Sequence, residues 1–190
     1  YYYNATGNPI RINQPVIGSS YRTYNQDLTI ATYTDESNNS WNFSYDLNGN
    51  LTKITDPNLH ASQFSFEPKY NKLVSVIDAK NNKTFYDYNI NGNLTSITNS
   101  LNQKILHVNS YDSHGNPTEV LDANGVKTEI VYDANGRLVS STSDGAATSF
   151  SYDVLGNVIR VIFPDNDEVN YRYDALNRLT EVIDKEGNKV

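Results

Sequence analysis

Cysteine and methionine are absent from this 190-residue chain, tryptophan occurs once, and hydrophobic residues make up only 37% of it. Without cysteine there is no disulfide framework, no thiolate nucleophile and no cysteine-ligated zinc, whatever the compartment. Basic residues are also scarce. Fifteen Lys and Arg stand against 22 Asp and Glu, a net charge of -7 that opposes non-specific attraction to nucleic acid or to an anionic membrane. No apolar run approaches the roughly 20 residues that span a bilayer, and the opening Tyr1-Tyr2-Tyr3 lacks the basic-then-apolar pattern of a signal peptide. Neither a nucleic-acid partner nor membrane insertion by this segment is expected. The missing initiator methionine reads as a segment taken from a longer protein.

What the chain has in excess is tyrosine, 15 residues, and asparagine, 27. An internal repeat explains both. An aromatic residue followed by an acidic or amide side chain recurs at Tyr3, Tyr24, Tyr45, Phe66, Tyr88, Tyr111, Tyr132, Tyr152 and Tyr173, with spacings of 21, 21, 21, 22, 23, 21, 20 and 21 residues. Two residues before most anchors stands a second large apolar side chain (Tyr1, Phe43, Phe64, Tyr86, Ile130, Phe150, Tyr171). That spacing puts both on one face of a strand. Four residues after the anchor comes Gly7, Gly49, Gly92, Gly115, Gly136 or Gly156 in six of nine copies. Glycine takes positive φ without a Cβ clash, and the Asp or Asn after the anchor can accept from nearby backbone N–H groups, so the pair marks a turn.

Strand-forming residues resume after that turn, as in Leu51-Thr-Lys-Ile54 and Leu179-Thr-Glu-Val182. A second turn follows, as at Asp56-Pro57-Asn58, Asp122-Ala-Asn124-Gly125 and Ser143-Asp144-Gly145. The fold expected is all-β: an antiparallel β-hairpin repeat ribbon of about nine units and 18 short strands, running over residues 1–190 as a single array. A lone hairpin is marginal, so each unit must stack on its neighbours. Leu179 and Val182, three apart, would face opposite sides of a regular strand, which requires either a bulge or partial burial of both faces. Copy two, Tyr24-Asn25-Gln26-Asp27-Leu28, has no glycine and suggests a shortened turn; copy four is one residue longer. Both ends look cut from a longer array, because Tyr1 opens on an aromatic pair and Val190 stops about four residues before the next anchor.

The iterated pattern Tyr-Asp-x-x-Gly-x-Leu, as in Tyr45–Leu51, Tyr132–Leu138 and Tyr152–Val158, resembles the Rhs or YD-repeat family across essentially the whole chain. The resemblance implies large secreted or surface polypeptides: bacterial Rhs and wall-associated polymorphic toxins, Tc-toxin shell components and the extracellular part of teneurins. It implies a β-ribbon spiralling into a hollow shell around a C-terminal cargo polypeptide, with flanking repeats as partners and an extracellular or cell-surface location. Asp56-Pro57 sits inside the array and does not match the self-cleaving segment of bacterial relatives.

Chemistry-bearing residues are few. His60, His107 and His114 lie in different repeats with no accompanying motif, and no nucleophile signature is present, so no catalytic residue and no cofactor are expected. Asp87-Tyr-Asn89-Ile-Asn91-Gly92 matches half of a calcium loop but has Thr98 at the twelfth position, and turn chemistry explains it better. The carboxylates Asp165, Asp167 and Glu168 on a second turn are the one weak candidate metal cluster. The aromatic rows are read as structural rungs. The alternatives are an adhesion surface, whose exposed rings would bind glycans or a receptor, and a fibre built through open strand edges.

Overall fold

The structure, a computed structural model, describes residues 2–14 and 18–189; Tyr1 and Val190, on which the reading of the two ends rested, lie outside the described residues. Among the described residues the elements are strands only, and the chain falls into two compact units, residues 1–92 with 97–103, and residues 93–96 with 104–190. The first unit contains β1 (Tyr2–Tyr3), β2 (Pro9–Gln14), β3 (Gly18–Tyr24), β4 (Ile30–Thr34), β5 (Ser40–Tyr45), β6 (Leu51–Thr55), β7 (Ala61–Phe66), β8 (Leu73–Ile77) and β9 (Lys83–Tyr88). Residues of β10 (Leu94–Asn99) are divided between the units. The second contains β11 (Lys104–Tyr111), β12 (Pro117–Asp122), β13 (Lys127–Tyr132), β14 (Leu138–Ser143), β15 (Ala146–Tyr152), β16 (Val158–Ile162), β17 (Glu168–Tyr173) and β18 (Leu179–Asp184). Within each unit every strand pairs antiparallel with its predecessor in the chain, and packs only against its immediate neighbours.

Alternation along the first strand sorts the side chains as the sequence pattern requires, most regularly in β5, β9 and β13. In β5, Trp41, Phe43 and Tyr45 lie half-buried on one face while Ser40, Asn42 and Ser44 are exposed on the other. The register across β5 and β6 sets Phe43 opposite Ile54 and Tyr45 opposite Leu51, with a bulge between. The same shift recurs in β17 and β18, where Tyr171 faces Val182 and Tyr173 faces Leu179. One extra residue on the second strand therefore brings two apolar side chains three apart onto the aromatic face, which resolves the conflict in the strand pattern.

A second irregularity supplies one of the two additional residues in the longest spacing, between Tyr88 and Tyr111. In β11, Val108 pairs with Val120 and Ser110 with Glu119, leaving Asn109 as an additional bulged residue. Val108 thereby takes the place that Phe43 holds in its repeat, and it is 7% exposed. The shortest spacing has the opposite cause. Ser143 pairs directly with Ala146 around Asp144 and Gly145, both at positive φ, a two-residue turn in place of the usual three.

Among the described hydrophobic side chains only Val108 and Val161 are buried, each 7% exposed. The accessible surface is 12600 Å², against roughly 9,000 Å² from area scaling for a compact domain of this mass. Within each unit the described strands contact only their neighbours in the chain, which leaves each face partly wet, so most rungs are half-buried.

Candidate functional site

The first turn of each repeat is built by the residue after the anchor. In Asp46–Asn50, the Asp46 N–H donates to the Asn50 carbonyl at 2.9 Å and the Gly49 N–H returns to the Asp46 carbonyl at 3.1 Å. Gly49 has φ 81°. This is a type I turn closed by a left-handed residue, the common three-residue hairpin loop. The Asp46 carboxylate completes it: Oδ1 accepts from the Asn48 and Asn50 N–H groups, each at 2.9 Å, and Oδ2 accepts from the Asn50 side-chain amide at 2.9 Å. Asp112 with Asn116 and Asp153 with Asn157 repeat the set. In Asp133 and Asp174 the amide is replaced by Arg137 and Arg178, whose guanidinium groups reach the carboxylate at 2.6 and 2.7 Å.

The second turn uses the same device. Asp35, Asp78 and Asp184 bind the residue four positions on through its N–H and its asparagine side chain, and the left-handed position is filled by Asn38, Asn81 or Gly187. Asparagine tolerates that conformation, which is why the second turns lack a regular glycine. Copy two corrects one expectation. Its turn is not shortened: Asn25 N–H meets the Thr29 carbonyl at 2.9 Å, and Leu28 itself adopts φ 69°. Copy four is longer as expected, with Glu67 accepting from three backbone N–H groups across a loop that ends at Lys72.

The position before the second-strand leucine, left unassigned in the sequence motif, ties one turn to the next at Asn50, Arg137 and Asn157. Asn50 and Asn71, in consecutive turns, exchange amide hydrogen bonds at 2.5 and 3.0 Å, and Asn157 donates to Asn177 at 2.5 Å. Arg137 lies over the Tyr152 ring at 4.6 Å and donates to the Asp153 carbonyl. The Tyr70 ring covers Gly92, 3.6 Å from where a Cβ on that residue would stand, and its hydroxyl donates to the Ile90 carbonyl. The signal for this contact was a recurrent Asn or Arg at one repeat position, visible only once the turns are known to stack.

The anchor rings perform a third task. Tyr24 donates to the Pro9 carbonyl at 2.7 Å, Tyr88 to Leu73 at 2.8 Å, Tyr152 to Leu138 at 2.8 Å, Tyr173 to Val158 at 3.1 Å, and Tyr111 to Leu94. Each acceptor belongs to the residue that opens the preceding second strand, where the bulge interrupts the ladder. The hydroxyl supplies a donor where the irregular backbone offers none. Burial pushes the Tyr88 and Tyr111 phenols above their ordinary range, so they remain donors near neutral pH. Tyr3 is exposed, Tyr45 and Tyr132 face Leu51 and Leu138, and Phe66 faces Leu73 with no hydroxyl to give.

The remaining chemistry is dispersed. Asp167 is near Lys185 at 3.4 Å, Glu168 is paired with Arg160, and Asp165 accepts from the Asp167 N–H, so the candidate carboxylates are engaged separately. Among the described residues no three His, Asp or Glu side chains are grouped to hold a metal ion. His60 contacts Asp56 at 3.1 Å as the fifth residue of its turn, His114 gives its N–H to Asp112, and the His107 Nδ1 is enclosed without a partner in β11.

Residues 59–190 match the family model described as Teneurin YD-shell, and residues 24–59 the one described as RHS Repeat. Among solved structures, the crystal structure of TcdB2-TccC3-Cdc42 is similar with TM-score 0.58 at 15% identity, over 93% of this chain and 13% of that one. The crystal structure of TcdB2-TccC3 without its hypervariable C-terminal region gives 0.59 at 16%, again over 93% and 13%. A Photorhabdus luminescens Tc holotoxin pore gives 0.50 at 13%, over 97% and 16%. At these identities the likeness is one of fold, and the chain spans a small part of each neighbour. No curated protein sequence matches it.

Proposed function

Because this chain belongs to the Teneurin YD-shell family, we propose that it is a non-catalytic stretch of shell wall, one array of YD repeats within a large secreted or surface protein. The wall encloses a C-terminal cargo polypeptide of the same protein and keeps it from proteases and from premature folding until delivery. The observation that carries this reading is the use made of the anchor tyrosines. Their rings pair with second-strand aliphatic residues, and five hydroxyls are taken by backbone carbonyls of the neighbouring repeat, so the recurring chemistry of the unit is directed at the adjacent unit. Two neighbours support the cargo reading: one is TcdB2-TccC3-Cdc42, and another is TcdB2-TccC3 without its hypervariable C-terminal region.

The test is limited proteolysis of the whole polypeptide that carries this segment. The region following the shell should resist protease while the repeats are folded and become sensitive when they are unfolded. Equal sensitivity in both states would overturn the proposal. An adhesion role would rest on the rings that are free of rung duty, Tyr2, Tyr21 and Phe85, all exposed. A glycan-array signal abolished by Tyr21→Ala in a folded protein would favour it instead.

A further inference from the structure

Four Asn-Gly steps occupy turns of this protein: Asn48-Gly49, Asn91-Gly92, Asn124-Gly125 and Asn135-Gly136. Such a step is chemically vulnerable, since glycine has no side chain to shield its backbone nitrogen from the asparagine amide carbon. All four asparagines are exposed, yet the turns that hold them differ. In each, the glycine N–H is donated to the carbonyl of the turn's first residue, at 3.1, 2.9, 3.1 and 3.0 Å in chain order. That bond must open before the nitrogen can lose its proton and reach the side chain. Opening is governed by what else closes the turn.

Asp46 holds its turn through a side-chain bond from Asn50, and Asp133 does so through the Arg137 guanidinium. The Asn91 step lies beneath Tyr70, whose ring is 3.6 Å from a Cβ placed on Gly92, and Gly92 is buried. The Asn124 turn has neither support. Asp122 accepts from the Asn124 and Val126 N–H groups at 2.8 and 2.9 Å, but Val126 has no side-chain donor to add a third bond. Nothing lies within 4 Å of a Cβ on Gly125. Beside it, bordered by Lys127, Glu129, Thr142 and Asp144, is an open notch of about 530 Å³. The notch adjoins the two-residue turn at Asp144-Gly145, which falls one residue short of the usual loop.

We propose that Asn124 is a modification site, the position at which this protein undergoes spontaneous deamidation through a cyclic imide. The Gly125 nitrogen, its proton taken by solvent base, bonds to the Asn124 Cγ; the bond from Cγ to the amide nitrogen breaks, and that nitrogen leaves as ammonia with a proton from water. Water then adds to one imide carbonyl. Hydrolysis at the main-chain carbonyl gives isoaspartate, and hydrolysis at the side-chain carbonyl gives aspartate. Either product places a new negative charge next to Asp122, and isoaspartate also lengthens the loop backbone, which a three-residue turn with one left-handed residue cannot accommodate.

Asn124 and Asn135 share the local sequence Ala-Asn-Gly, so the unfolded chain supplies an internal control. Folded protein is incubated in mildly alkaline buffer at physiological temperature and followed by peptide mapping, with isoaspartate detected by enzymatic methyl transfer from S-adenosylmethionine. Asn124 should deamidate about tenfold faster than Asn135, a difference of about 1.4 kcal/mol in activation free energy. In urea the two rates should converge. Val126→Asn, which installs the missing side-chain donor, should slow Asn124 towards the rate of Asn48. Equal rates at Asn124 and Asn135 in the folded protein, or no slowing by Val126→Asn, would overturn the proposal.

Discussion

Tyrosine at the anchor does what phenylalanine cannot. Its ring fills the aromatic face opposite an aliphatic residue, and its hydroxyl satisfies a carbonyl next to a bulge. Tyr152→Phe keeps the ring, and with it the Arg137 contact, but removes the bond to the Leu138 carbonyl. Stability measured by urea unfolding should fall by about 1 kcal/mol. The left-handed position gives a complementary case. Leu28 at φ 69° bears the steric cost that glycine avoids at the same position of other repeats. That cost is about 1–2 kcal/mol, less about 0.5–1 kcal/mol for glycine's extra chain entropy. Leu28→Gly is therefore expected to stabilise the protein modestly, and Gly156→Ala to destabilise it, in the same unfolding assay.

At the scale of the element, the hairpin loop is an acid-sensitive structure. The carboxylates of Asp46, Asp78, Asp112 and Asp153 are held below the usual aspartate range, first by the side-chain bond from the asparagine four residues on and then by backbone N–H groups, against a partial desolvation. A carboxylate whose pKa is lowered by folding binds its proton more readily in the unfolded chain. It contributes stability that is complete above the unfolded value of about 3.9 and is lost as pH falls through the lowered folded value. With one such carboxylate in most turns, stability should be flat near neutrality and drop steeply below about pH 4. Replacing several of these aspartates by asparagine should flatten that acid limb in pH-dependent denaturation. A limb of unchanged steepness would show that the turns do not control it.

For the molecule as a whole, each unit is a chain of nearest-neighbour interfaces without a common core. Strands contact only their sequence neighbours within each unit, so a local lesion should remain local. Val161, one of two buried hydrophobic side chains among the described residues, pairs with Phe150 on β15 and Val169 on β17. Val161→Ala removes the equivalent of two methylene groups, about 1.6 kcal/mol at 0.8 kcal/mol each. Hydrogen exchange should rise in β15 to β17 and decline with distance along the second unit, leaving β11 and β12 close to wild type. Uniform acceleration through the unit would indicate a cooperative core that the packing does not contain. The same architecture suits a wall, whose length is set by the number of repeats.

Much of this was legible from residue order alone. The period, the strand-turn-strand-turn unit, the all-β ribbon and the face carrying Phe43 and Tyr45 follow from side-chain alternation and from the conformations that Gly, Asp and Asn permit, which are local properties. The site was legible only in outline: the anchors were found, whereas their hydroxyl acceptors and the Asn50-to-Asn71 bond, 21 residues apart, required the register between repeats. Leu28 misled because a left-handed leucine is imposed by the strands on either side of its loop, against its own preference. The bulges that align Leu179 with Val182, and Val108 with the aromatic row, could be posed as a conflict in the pattern but not resolved by it. Local sequence determined what each hairpin is; only the pairing of one strand with the next decided which atoms meet, because register is a property of two segments at once.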